Sequence, residues 1–217
     1  MAYSYLTSGT ASSTFTSSTF GGDTFRIAVM GAAAVGKTTI ISQFLHGTFP
    51  RLYWPTVQER YTEDIDVNGK SVVLDIFDTP GGYCFSYLRE LAIANADAFV
   101  LVYSVAAEAS LETVANLRDM IVRQKPAGVP IIVVGNKTDL IPATPRFMSS
   151  EKTECMVNVG WQHTYMEVSV KDSSNVSDIF REIAIQTQSF LFPKRNRINI
   201  FKRIKRRLKR SESGKND

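Results

Sequence analysis

From Phe25 onward, short apolar runs rich in β-branched residues alternate with stretches of helical period. The runs at 25–31 (FRIAVMG), 58–67, 70–77 (KSVVLDIF), 98–103 (AFVLVY), 130–135 (PIIVVG) and 164–168 predict strands. The segments 37–46, 85–95, 110–124, 150–159 and 174–190 predict helices. The runs at 98–103 and 130–135 are apolar on both faces, as a buried parallel strand must be. Such alternation argues for an α/β sheet covered by helices on both sides. Asn68-Gly69 between two strand-like runs signals a hairpin, which makes one edge strand antiparallel. The expectation is six strands, mostly parallel, with about five helices and no internal repeat.

The flanks differ from this pattern. Residues 1–24 are dominated by Ser, Thr and Gly and read as a disordered leader, 25–192 as one folded domain, and 193–217 as a basic tail. Composition adds little until charge is divided along the chain: the net +4 hides 14 Lys/Arg against 19 Asp/Glu in residues 1–193 and 11 against 2 in residues 194–217. Cys84 and Cys155 show no metal-ligand spacing and no secretory signal precedes them, so a reduced cytoplasmic protein is expected. No apolar run reaches the ~18 residues of a membrane span. Ala2 follows Met1, which argues against N-myristoylation.

The chemistry concentrates in a few short stretches. Gly31-Ala32-Ala33-Ala34-Val35-Gly36-Lys37-Thr38, followed by Thr39, matches G-x-x-x-x-G-K-[ST] between a predicted strand and a predicted helix. In that context successive backbone N–H groups and a helix N-terminus cradle phosphates, Lys37 reaches the β/γ-phosphates, and the Thr38 hydroxyl ligates Mg²⁺. The competing reading is a Gly/Ala turn into an amphipathic helix. After the apolar run 131–134 comes Gly135-Asn136-Lys137-Thr138-Asp139, an N-K-x-D turn. A carboxylate there can accept the N1–H and exocyclic amine of guanine, whereas adenine would leave it desolvated and unpaired. Alone, the same turn is compatible with an ordinary loop.

Together these stretches resemble the Ras superfamily of small GTPases over residues 25–192. Pro55-Thr56 precedes the second strand as in the family's first switch, Asp78-Thr79-Pro80-Gly81 supplies its D-x-x-G, and Glu167-Val168-Ser169-Val170-Lys171 is similar to its last base-contact loop. The resemblance implies a P-loop NTPase G domain that binds GTP and GDP with Mg²⁺ and hydrolyses GTP. It implies Thr56 as a second hydroxyl on Mg²⁺, Asp78 as a ligand through water, the Gly81 N–H on the γ-phosphate, and Phe49 against the guanine. Lys37, Thr56 and Gly81 are then the catalytic candidates. Phe49 also fits a core position, and Ser169 also fits a cap for the helix at 174–190. The stretch Tyr53 to Tyr61 is closest to the Ras branch; segment 140–149 is too short for the Rho insertion, and the tail lacks Rab-type cysteines.

Three departures bear on turnover. Gly82 stands where the family usually places the glutamine that orients attacking water, Ala33 and Ala34 replace two glycines, and Pro80 stiffens the second switch. Slow hydrolysis is expected; the alternative is a GTP-bound interaction module acting through constant effector binding. Effectors are expected at 52–61 and 82–91, with exchange and activating proteins as further partners, a monomeric chain, and no nucleic acid.

The tail stretch 194–210 (KRNRINIFKRIKRRLKR) carries ten positive charges and an apolar stripe at Ile198, Phe201, Ile204 and Leu208. It reads as a membrane-surface or calmodulin-target helix. With no C-a-a-X cysteine at Ser213 to Asp217, it is similar to the unlipidated basic C-termini of the Rit and Rad/Gem branches. The inner face of the plasma membrane is expected, with nuclear import, calmodulin binding and a merely solvated charge run as competing readings.

Overall fold

A computed structural model describes residues 23–48, 59–82, 86–141, 143–172 and 175–193. The strands β1 (Asp23–Gly31), β2 (Glu59–Asp66), β3 (Ser71–Asp78), β4 (Ala98–Ser104), β5 (Ile131–Asn136) and β6 (Thr164–Glu167) form one sheet in the order β2-β3-β1-β4-β5-β6. All neighbours are parallel except β2 and β3. That pair turns at Asn68 and Gly69, both at positive φ, with Val67 N–H to Lys70 O at 2.8 Å and Lys70 N–H to Val67 O at 3.2 Å. Two consecutive left-handed residues match the right-handed twist of the flanking strands, which is why Asn-Gly suits this turn.

Helices α1 (Lys37–His46), α2 (Ser86–Asn95), α3 (Glu108–Gln124), α4 (Ser150–Glu154) and α5 (Val176–Leu191) cover both faces. Strand alternation divides the core in two. Ile27, Val29, Val100, Val102, Ile132 and Val134 point toward α1 and α5, where Phe44 stacks on Phe180 at 4.1 Å between ring centroids. Ala28, Met30, Phe99, Leu101, Ile131 and Val133 point the other way, with Ile93 of α2 and Val114 and Ile121 of α3. Every residue of β4 and β5 is buried, as their continuous apolarity requires.

Several boundaries differ from the sequence expectation. β1 begins at Asp23, inside the expected leader 1–24, because Asp23 and Thr24 continue the ladder opposite Val72 and Val73. α3 begins at Glu108 rather than residue 110; Ser110 lies within it, its hydroxyl accepting from Ser104 N–H at 3.0 Å and donating to Ala107 O at 2.5 Å. The helix expected at 150–159 is α-helical only to Glu154 and continues through Cys155–Gly160 in wider π-type turns. The rest of the expected leader, Phe49, Thr56 and the whole stretch 194–210 lie outside the described residues.

Candidate nucleotide site at the C-terminal edge of the sheet

In the parallel strands the connections into α1, into the 78–82 segment and out of β5 and β6 all leave from the C-terminal edge, so four sequence stretches meet there. β1 delivers the loop Ala32 to Gly36, and α1 starts at Lys37. Two glycines make the loop possible. A Cβ on Gly31 would lie 2.1 Å from Val102 O, and one on Gly36, at φ 100°, would lie 2.4 Å from Asn136 Nδ2. Neither position tolerates a side chain without displacing its neighbour.

Lys37 is buried, and its ammonium donates to Gly31 O at 3.1 Å and Ala32 O at 2.8 Å. Burial pulls its pKa down to about 8, against the opposing pull of nearby Asp78. A buried cation wrapped by its own loop is a ready partner for an anion. Thr38, at the first turn of α1, donates to Asp78 Oδ2 at 2.5 Å, and Asp78 itself is fully buried at the end of β3. Thr79 anchors the next residues: its N–H and hydroxyl both reach Val29 O, at 3.3 and 2.9 Å. Gly81 then lies against the cradle backbone, where a Cβ would sit 2.5 Å from Ala33 Cα. Ala33 and Ala34 are exposed.

The base-side stretches are assembled from greater distances along the chain. Asn136, buried at the end of β5, donates through Nδ2 to Val35 O at 2.8 Å and accepts Lys137 N–H at 2.7 Å. Lys137, at φ 67°, donates to Ala34 O at 2.7 Å. The two bonds to Val35 O and Ala34 O, linking residues 101 and 103 positions apart, fasten the N-K-x-D turn to the cradle. Ser169 is buried; its hydroxyl donates to Asp139 Oδ1 at 3.1 Å and accepts Asp172 N–H at 3.2 Å. The capping alternative for Ser169 does not hold, since α5 begins behind Asn175 at φ 60°. Val170 is buried and Lys171 exposed beside them.

Gly31 to Thr39, Asp78, Gly81, Asn136, Lys137, Asp139 and Ser169 to Lys171 are thus brought to one edge, with Gly82 next to Gly81. The N-K-x-D pattern marks Asn136 and Lys137 as nucleotide-binding residues but does not reveal their bonds to cradle carbonyls. An asparagine at the end of a wholly buried strand was the available signal, because a buried amide must find partners.

Comparison with known proteins yields the same frame. A family model described as Ras family matches residues 26–189. The GTP-binding protein Di-Ras2 of Macaca fascicularis is 35% identical over 161 residues, covering 73% of this chain and 79% of its own.

Proposed function

The chain belongs to the Ras family, and from that premise we propose that it is a guanine-nucleotide switch whose GTP hydrolysis is slow. The observation that carries the reading is the fastening of the Gly31–Thr38 cradle to the Asn136–Asp139 turn through Val35 O and Ala34 O. It sets a phosphate site and a base site at a fixed separation, as one nucleotide spanning both requires.

In this reading the cradle amides and Lys37 hold the polyphosphate, and Asp139, oriented by Ser169, accepts from guanine. The hard oxygen donors Thr38 and Asp78, 2.5 Å apart, fit Mg²⁺, which Thr38 and Thr56 would bind directly and Asp78 through water. When bound, the ion neutralises charge developing on the transferring phosphoryl group. Gly81, tight against Ala33, carries an amide that can follow the third phosphate, so loss of that phosphate releases the segment behind it. The exposed Tyr87 and Leu91, one turn apart on α2, give effectors an apolar foothold beside it.

Turnover is where the chain departs. Gly82 offers no side chain to hold the attacking water, and Ala33 adds a methyl group to an exposed position of the cradle loop. A protein resting largely with GTP and acting through constant effector binding is the second reading these residues favour. Single-turnover GTP hydrolysis tests it: the wild type should run below Gly82→Gln, and a family-typical wild-type rate overturns the slow-switch reading. We further propose a cytoplasmic protein held at the inner plasma-membrane leaflet by 194–210, each basic residue near the surface contributing about 1 kcal/mol. No helix among the described residues is long and apolar enough to cross a membrane. Sedimentation with anionic vesicles should fall steeply with salt; no binding at low salt removes this proposal.

A further inference from the structure

Behind the base-side turn lies a polar cluster that the nucleotide reading does not use. Tyr103 of β4 is buried, and its hydroxyl meets that of Tyr165 at 2.6 Å. The Tyr165 hydroxyl lies 2.6 Å from Glu167 Oε1, which also accepts from Ser150 at 2.8 Å. Arg146 closes the cluster with two parallel bonds to the same carboxylate, at 2.7 and 2.6 Å. A forked guanidinium pair of this kind fixes the plane of a carboxylate as well as its position. Burial alone would push Glu167 up, but the bonds from Arg146, Tyr165 and Ser150 outweigh it and hold the carboxyl below its usual range.

The cluster touches both base-side stretches at their roots. A Cβ on Gly135 would lie 2.9 Å from both tyrosine hydroxyls, so the pair packs directly against the residue preceding Asn136. Glu167 is followed by Val168, whose N–H bonds Gly135 O at 2.9 Å and whose carbonyl accepts Thr138 N–H at 3.4 Å. Next comes Ser169, which holds Asp139. Glu167 thus lies two residues before the serine whose hydroxyl bonds the Asp139 carboxylate.

We propose that Arg146, Tyr165 and Tyr103 are positioning residues for guanine recognition, holding Glu167 so that Ser169 keeps Asp139 aligned with the exocyclic amine of the base. The proposal rests on the guanine-site reading above. Recognition of the amine needs a carboxylate in one rotational setting, whereas phosphate binding at the cradle does not. Loosening the cluster should thus weaken guanine selectively.

The test compares GDP with IDP, whose hypoxanthine lacks the exocyclic amine, in full-length wild type, Tyr165→Phe, Tyr103→Phe and Arg146→Ala, by displacement of a fluorescent GDP. Loss of one hydrogen bond in such a network should cut the GDP-over-IDP preference by about 3- to 10-fold, most in Arg146→Ala. Arg146→Lys, which keeps the charge but not the fork, should fall between wild type and Arg146→Ala. The phenylalanine variants keep the packed rings and remove only the hydroxyls, and their melting temperatures are read alongside. Parallel losses for GDP and IDP, tracking a lowered melting temperature, would mark the cluster as a structural staple and overturn the proposal. So would an unchanged ratio in all variants while the wild type binds GDP. A wild type that binds no GDP overturns the guanine-site reading and this inference with it.

Discussion

At the phosphate end, the cradle residues Gly31 to Thr38 are contiguous and present main-chain groups from a single loop. At the base end, Asp139 is held by Ser169 thirty residues on, and the turn that carries it is fastened to Val35 and Ala34 across the sheet. The departures that bear on turnover, Ala33, Ala34, Pro80 and Gly82, fall at the phosphate end, whereas the N-K-x-D turn is intact. Holding a nucleotide and cleaving it draw on different groups, so one can weaken while the other persists. A loop built from main-chain amides tolerates Ala33 because a methyl group removes no amide. Water positioning relies on a side chain, and glycine has none.

This contrast can be broken most sharply at Asp139. Asp139→Ala should remove most of a guanine-over-adenine preference that an unpaired carboxylate can raise to about 10⁴, leaving phosphate binding in place. Competition of GDP and ADP against a fluorescent nucleotide reads it, and a preserved preference would place base selection elsewhere. Gly36→Ala strikes the joint between the two ends. Its Cβ would meet Asn136 Nδ2 at 2.4 Å, at a φ unfavourable for alanine. The expected cost is about 2–3 kcal/mol, or roughly 100-fold in GDP affinity, because a buried amide loses its place. Unchanged titration would show the ends to be independent.

A smaller effect tests the packing at the start of β6. His163, just before β6, is pulled down to about 4 by burial and by Arg118, whose Nε donates to His163 Nε2 at 3.4 Å. Its folded pKa lies below the ordinary value of about 6.5, so as pH falls the unfolded chain takes up the proton first. Stability is therefore lost between pH 6.5 and about 4. Partial solvent access reduces the contribution to about 1 kcal/mol. Thermal melts should fall over this window in the wild type and less in His163→Gln; identical slopes would exclude His163 as the source.

Most of the architecture was legible in the sequence because its signals are local. Residues 98–103 and 130–135 declare doubly covered strands, Asn68-Gly69 declares the hairpin, and the cradle is a contiguous motif between a strand and a helix. Boundaries were less legible. Whether Asp23 and Thr24 join β1 depends on Val72 and Val73 offering a ladder, and the π-type turns after Glu154 have no signature in the local pattern. Asn136 and Lys137 were visible as residues but not as braces, since their partners lie in another segment.

Local signals carried the alternation of strands and helices, the cradle motif, the N-K-x-D turn and the placement of Gly82 after D-x-x-G, for these depend on adjacent residues and on side-chain chemistry. Tertiary structure alone decided that Val35 and Ala34 carbonyls receive Asn136 and Lys137, and that Tyr103, Arg146 and Glu167 converge behind Gly135. Each of these bonds joins distant segments. Only the register of β4, β5 and β6 brings their ends within hydrogen-bonding reach.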